Sequence, residues 1–318
     1  MNSKHLVDPE LLSALETFPK VEFSSEVISV MRATMADMLT GIPISDSSEV
    51  VTQEYKISSG NGLEVSVFVH TPRQLSTEPR PAVLHIHGGG YVIASAKMFI
   101  ADNQQMALDA HCLVASVDYR LAPETTHPGP IDDCYTALKW LHENAKILHI
   151  DPARIAVTGE SAGGGLAAAL ALLARDRGEV RIAHQHLISP MLEDRTCVGD
   201  VNPYAGEFVW TRGSNRFGWS SLLGCAPGGD GVSEYAAAAR ARDLSGLPNA
   251  FIAVGALDLF AEENMEYARR LMRAGVPTEL HVYPGAYHGF EFVTEAPVTQ
   301  RAKQISSAAL RRALHRGR

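Results

Sequence analysis

The sequence predicts an α/β domain in which a mainly parallel sheet is covered by helices on both faces. Three observations carry this reading. From about residue 80 onward, short apolar runs alternate with longer helix-like runs, the pattern of successive strand–helix units. Several apolar runs end in a glycine-rich or polar cluster: His87-Gly88-Gly89-Gly90, Gly255-Ala256-Leu257-Asp258 and, beyond a short turn, His288-Gly289-Phe290. Finally, Gly159-Glu160-Ser161-Ala162-Gly163 lies between the apolar run 154–158 and the Ala/Leu-rich run 166–174, which puts a serine at the apex of a sharp strand-to-helix turn.

Residues 1–48 precede the first strand. Apolar residues recur at helical spacing over 9–18 (Leu11, Leu12, Leu15) and over 24–39 (Val27, Ile28, Met31, Met35, Met38, Leu39), and Gly41-Ile42-Pro43 stops the second helix. From Val50 the period becomes two. Runs 51–58 and 63–71 flank Ser59-Gly60-Asn61-Gly62, the signal of a hairpin. Strands follow at 82–87, 113–119, 155–158, 182–189, 250–254 and 278–283, with helices at 99–111, 131–145, 162–177, 262–274 and 297–315. Asp151-Pro152 is a turn that starts a strand. Residues 191–234 hold no clear strand and are rich in Gly, Ser, Asn and aromatics. A bare loop of that length is uncommon, so a helical insertion above the C-terminal strand ends is predicted. The expected organisation is an accessory segment at 1–48, core at 49–190, insertion at 191–235 and core again at 236–318.

A chain of 318 residues suffices for one large α/β domain with a small accessory part. The net charge of −8 comes without a basic stripe, which excludes a nucleic-acid binder. Cys112, Cys134, Cys197 and Cys225 lack metal-ligand spacing. Cys112 and Cys134 lie in apolar segments as small hydrophobes, so reduced thiols and a cytoplasmic setting are expected. Residues 1–9 lack the basic patch and apolar core of a signal peptide, and the longest apolar stretch, 166–174, is too short to span a bilayer. No metal, cofactor, nucleic acid or membrane partner is expected.

Glycine-rich loop, serine, acid and histidine occur in the chain order of an α/β-hydrolase triad. Ser161 is the expected nucleophile, raised above the sheet at the positive end of a helix. His288 is the expected base; His85, His184, His186 and His127 lie elsewhere in the pattern, within strands or in a Pro-rich turn. Asp258 is the expected acid that orients His288. Glu262 and Glu263, like Asp132 and Asp133, open predicted helices, where the helix dipole already accounts for an acid.

On these residues the chain resembles the bacterial hormone-sensitive-lipase-like esterases, a branch of the α/β-hydrolase superfamily. The resemblance spans about residues 50–292. It rests on His87-Gly88-Gly89-Gly90, Asp118-Tyr119-Arg120-Leu121-Ala122-Pro123-Glu124, Gly159-Glu160-Ser161-Ala162-Gly163-Gly164, Asp258 and His288-Gly289-Phe290. The chain departs from the family at Glu160 (usually Asp or Thr), at Ala94 (usually Gly) and at Thr125-Thr126-His127.

The resemblance implies an α/β-hydrolase core with a helical cap built from residues 1–48 and the insertion, and backbone N–H groups of Gly89, Gly90 and Ala162 as the oxyanion hole. It implies hydrolysis of short- to medium-chain esters of small alcohols or phenols through an acyl-enzyme, without cofactor or metal, and a homodimer. His87 is expected to anchor the glycine loop, Arg120 and Glu124 to tie their own loop together, and Glu160 to point away from Ser161. Phe208, Trp210 and Trp219 are candidates for the cap's inner wall. The same triad serves amidases, lactonases and small-molecule deacetylases, and these stay open. A non-catalytic ligand-binding homologue is disfavoured because His288 is retained.

Overall fold

One sheet organises the chain. In the computed structural model, which describes residues 3–18, 20–40, 44, 47–58, 62–74, 76–200 and 202–315, eight strands among the described residues lie in the order β1-β2-β4-β3-β5-β6-β7-β8. They are β1 Val50–Ser58, β2 Glu64–Pro72, β3 Arg80–Ile86, β4 Leu113–Asp118, β5 Ile150–Glu160, β6 His184–Ile188, β7 Asn249–Gly255 and β8 Thr278–Tyr283. β2 pairs antiparallel with both β1 and β4, and every other pairing is parallel. The mostly parallel sheet expected from the sequence is the one observed.

The parallel strands read as unbroken apolar runs because both faces are covered. Helices α3 (Gly129–Glu143) and α5 (Ala162–Arg177) pack on one face, and α2 (Ile100–Asp109) and α8 (Pro297–Leu314) on the other. α5 is buried from Ala162 through Ala174, which explains its Ala/Leu composition: small side chains let the sheet, α3 and the segment after β6 all approach it closely. α7 (Ala261–Arg273) packs on β7 and β8, and the short α4 (Ala145–Leu148) follows α3. Outside the sheet, α1 (Ser25–Thr40) belongs to the N-terminal segment and α6 (Arg212–Leu223) to the insertion.

Three local expectations change. The run 9–18 is not an α-helix but turns containing the 3-10 segment Ser13–Glu16. Its start is tied to the C-terminal part of the chain: the preceding Asp8 N–H donates to Gly285 O (3.0 Å) and Leu11 O accepts from the Tyr287 hydroxyl (3.0 Å), while Leu15 and Thr17 N–H donate locally to Leu12 O and Ala14 O (3.3 and 3.0 Å). Leu11 and Leu15 are nevertheless buried, as their spacing required. β5 is longer than expected. Its pairing with β3 passes from Arg80↔Ile150 to Ala82↔Ile155, so the Asp151-Pro152 turn is looped out within the strand. The insertion is mostly irregular, with α6 and the 3-10 turn Asp194–Cys197 as its helical parts. The expected helix stop at Gly41-Ile42-Pro43 and the turn residues 59–61 lie outside the described residues.

Candidate active site

The parallel strands β3 to β8 place their C-terminal ends at one edge, and the expected site residues leave from that edge. Ser161 follows β5 directly and has φ +55°, a region that non-glycine residues rarely occupy. The strain is held from three sides: Ser161 N–H donates to Ile188 O (2.9 Å), and Ser161 O accepts from Gly165 N–H (3.0 Å) and Met191 N–H (2.9 Å). Glycine at 159 and 163 is a steric requirement. A Cβ at Gly159 would stand 2.6 Å from Ile86 O, and one at Gly163 would stand 2.5 Å from His87 O.

Asp258 leaves the end of β7 and His288 the loop after β8. Leu257 N–H donates to Ala286 O and Ala256 N–H to Tyr283 O (2.9 Å each), so the two loops travel as a pair. His288 Nδ1 lies 2.8 Å from Asp258 Oδ2, and His288 Nε2 lies 3.0 Å from Ser161 Oγ. Asp258 is fully buried; its second oxygen accepts the Phe260 N–H (2.9 Å), and the Phe260 ring stands perpendicular to the imidazole at 5.2 Å. Burial pushes the His288 pKa down. The charge and hydrogen bond of Asp258, with the Glu291 charge, outweigh it and leave His288 above its ordinary value. Burial pushes the Glu291 carboxyl up to about 7, the charges of Asp258 and Glu160 acting in the same direction.

The glycine loop after β3 turns back on itself, with Gly89 O accepting from Val92 and Ile93 N–H (3.0 Å each) and with φ +114° at Gly89 and +60° at Gly90. Ala162 opens α5 beside it. His87 Nδ1 donates to Gly88 O (2.8 Å) and its ring stacks on Tyr119 at 4.3 Å. Burial lowers the His87 pKa despite the nearby Asp118 charge, which leaves a neutral anchor for the loop.

Around this centre some expectations need correcting. Glu160 does turn away from Ser161, but its partner is His85 on β3 (Oε2 to Nε2, 3.1 Å), which is braced in turn by Ser116 (2.8 Å). Arg120 and Glu124 do not tie their loop to itself. Arg120 grips the buried Asp133 of α3 with three side-chain hydrogen bonds (2.7, 2.8 and 3.2 Å), and Glu124 meets Arg32 of α1 (2.7 Å). Arg32 also donates to Val92 O and Ala122 O (2.7 and 2.6 Å). Asp133 and Glu263 are therefore more than helix-opening acids. Glu263 is buried and accepts from Leu192 N–H (2.7 Å), Glu193 N–H (3.3 Å) and the Thr196 hydroxyl, which anchors the root of the insertion. Of the three aromatics, Trp210 borders the triad, its ring 6.1 Å from that of His288. Trp219 is buried against Tyr91 (5.4 Å), and Phe208 packs beside Tyr287 (6.1 Å).

Sequence reasoning passed over Phe260, Glu291 and the reach of Trp210. Only Phe260 carries a sequence signal, its place two residues after the acid. A cavity of about 480 Å³ lies elsewhere, between α7 and the insertion root, and none of its lining residues belongs to the triad. Among the described residues no helix is long and apolar enough to cross a membrane.

A family profile described as alpha/beta hydrolase fold matches residues 83–292. The chain is 34% identical over 316 residues to a protein named carboxylesterase NlhH from Mycobacterium tuberculosis, a match that covers 97% of each chain. It is 29% identical over 309 residues to an arylesterase of Saccharolobus solfataricus, covering 96% of this chain and 97% of the other. Among solved structures it is similar to a bacterial heroin esterase, with TM-score 0.91, 39% identity and coverage of 99% of this chain and 100% of that one.

Proposed function

Because the chain belongs to the α/β-hydrolase fold family, we propose that it is a serine carboxylesterase of the hormone-sensitive-lipase-like branch, acting on short- to medium-chain esters through an acyl-enzyme. The observation that carries this reading is the unbroken run of hydrogen bonds from Ser161 Oγ through His288 to Asp258. Relatives named as carboxylesterase, arylesterase and heroin esterase support ester cleavage in particular.

In this mechanism His288 Nε2 removes the Ser161 proton as Oγ attacks the ester carbonyl. Asp258 holds the ring so that Nε2 faces the serine, and stabilises the imidazolium that forms. Negative charge develops on the carbonyl oxygen and is met by the N–H groups of Gly89, Gly90 and Ala162, each worth about 3 kcal/mol in the transition state. The tetrahedral intermediate collapses, the ester C–O bond breaks, and His288 gives its proton to the departing alcohol. Water then attacks the acyl-enzyme with His288 again as base, which releases the acid and restores the serine. No step calls for a cofactor or metal.

The same reading makes residues 1–48 and 191–235 a cap over the strand ends. Contacts between the two segments support it: the Phe23 ring stands edge-on to Trp210 at 5.2 Å, Phe23 N–H donates to Ser214 Oγ (3.1 Å), and Ser3 donates to Glu207. A cytoplasmic setting is supported by four free cysteines, three of them buried. A homodimer completes the proposal, and light scattering tests it.

Ser161→Ala tests the central assignment. Turnover of p-nitrophenyl butyrate should fall by about 10⁴-fold or more while the circular dichroism spectrum and melting temperature stay those of the parent. Residual activity within about tenfold of the parent contradicts a serine nucleophile. A panel of p-nitrophenyl esters and matched anilides separates the esterase from an amidase, and an acyl-length series sets the chain preference.

A further inference from the structure

We propose that the insertion clamps the oxyanion loop: Trp210 and Gly218 act as positioning residues that hold Gly90 in the backbone conformation that turns its N–H toward the developing charge. This rests on the reading of Ser161 as nucleophile and of Gly90 as an oxyanion donor.

The geometry at Gly90 is closed from two directions. The space that a side chain at Gly90 would fill is taken by the six-membered ring of the Trp210 indole, and φ is +60° there. From the other side α6 approaches so tightly that a Cβ at Gly218 would stand 2.8 Å from Gly90 O. The next residue, Tyr91, is held by the same segment: its ring lies 5.4 Å from that of Trp219, and its hydroxyl donates to Met191 O (3.2 Å). Trp210, Gly218, Trp219 and Met191 all belong to residues 191–235.

Trp210 is itself fixed at some cost. Val209 before it has φ +63°, a genuine outlier for a β-branched residue, and Trp210 N–H donates to Phe208 O (2.7 Å) across it, which closes a γ-turn. The indole Nε1 donates to the buried Asn215 Oδ1 (3.2 Å), and Phe23 abuts the ring edge-on. Backbone strain of this kind persists only where the surroundings over-determine it. Here it aims a rigid aromatic plate at Gly90 and, 6.1 Å away, at His288. An oxyanion donor is valuable in proportion to its preorganisation, so loosening the plate should weaken the transition state more than the bound ester.

The test compares Trp210→Leu and Gly218→Ala with the parent, using p-nitrophenyl butyrate and an alkyl trifluoromethyl ketone. Ser161 Oγ adds to the ketone carbonyl, the serine proton passes to His288, and the new oxyanion sits in the hole without a leaving group to expel. The clamp predicts kcat lower by about 10- to 100-fold, KM within about threefold, and the ketone Ki raised by the same factor as kcat falls. A KM increase with kcat preserved reduces Trp210 to a pocket wall and overturns the proposal. So does a loss of kcat with Ki unchanged, which would place the effect at a step the ketone does not reach, expulsion of the alcohol or deacylation. Gly218→Ala adds one methyl against Gly90 O and leaves the indole in place, so it decides the matter if Trp210→Leu fails to fold. Variants equal to the parent, beside a dead Ser161→Ala, sink the clamp alone; an active Ser161→Ala sinks the nucleophile assignment instead.

Discussion

The strand-to-helix turn at Ser161 and the insertion both press glycines against neighbours, but they do so with different materials. Around Ser161 backbone meets backbone: Gly159 faces Ile86 O, Gly163 faces His87 O, and Gly165 faces Met191 O. Around Gly90 the backbone of Gly218 is joined by a side chain, the Trp210 indole brought in from 120 residues away. Backbone contact leaves a readable string of glycines at 159, 163 and 165. Side-chain contact leaves a glycine at 90 but no local sign of its distant partner.

The sharpest break of this contrast is Gly163→Ala. Its methyl would enter both the Ile86 and the His87 carbonyls, which belong to the end of β3 and cannot swing away as a flexible side chain would. We expect a loss of about 3 kcal/mol or more together with turnover, read by denaturant unfolding and by the p-nitrophenyl assay. An active Gly163→Ala of parental stability would show that the turn has slack that the backbone contacts deny.

That difference in material also explains what could be read in advance. The mostly parallel sheet, the strand ends that carry Ser161, Asp258 and His288, and the buried face of α5 follow from apolar periodicity and from glycine where chains approach. The distances within the triad do not; they depend on the pairing of the Asp258 and His288 loops through Leu257 and Ala286. Arg120 with Asp133 and Arg32 with Glu124 are pairings 13 and 92 residues apart in the chain, and either acid viewed locally is an ordinary surface charge. The run 9–18 has helical spacing yet forms turns: Leu11 O accepts from the distant Tyr287 hydroxyl, and the local bonds of Leu15 and Thr17 N–H reach back only three residues. Residues 191–235 have little period at all, and their conformation comes from contacts such as those of Glu263.

Glu263→Ala is the matching break on the insertion side. It leaves two backbone N–H groups and the Thr196 hydroxyl without their acceptor, the Leu192 N–H in a buried place. About 1–3 kcal/mol of stability should be lost, less than for Gly163→Ala, since side-chain anchorage yields where backbone contact cannot. Activity should survive at reduced level. If Glu263→Ala unfolds the chain more readily than Gly163→Ala does, the ranking of the two regions is reversed.

The smallest expected effect lies between the two regions, at Glu291. In the proposed mechanism His288 must be neutral to accept the serine proton, so kcat/KM should fall as pH drops through its pKa, which lies above the ordinary histidine value of about 6.5. Burial acts to lower that pKa; the Asp258 charge and hydrogen bond and the Glu291 charge raise it. Glu291→Gln removes the last of these and leaves Asp258 untouched, so the acid limb should move to lower pH with the alkaline plateau kept within about twofold. The Glu291 charge is the smallest of the influences acting on His288, which keeps the displacement small. A pH profile of kcat/KM from about pH 4 to 9 measures it. A limb that moves upward would mean that the imidazole senses lost packing at residue 291 and not the lost charge.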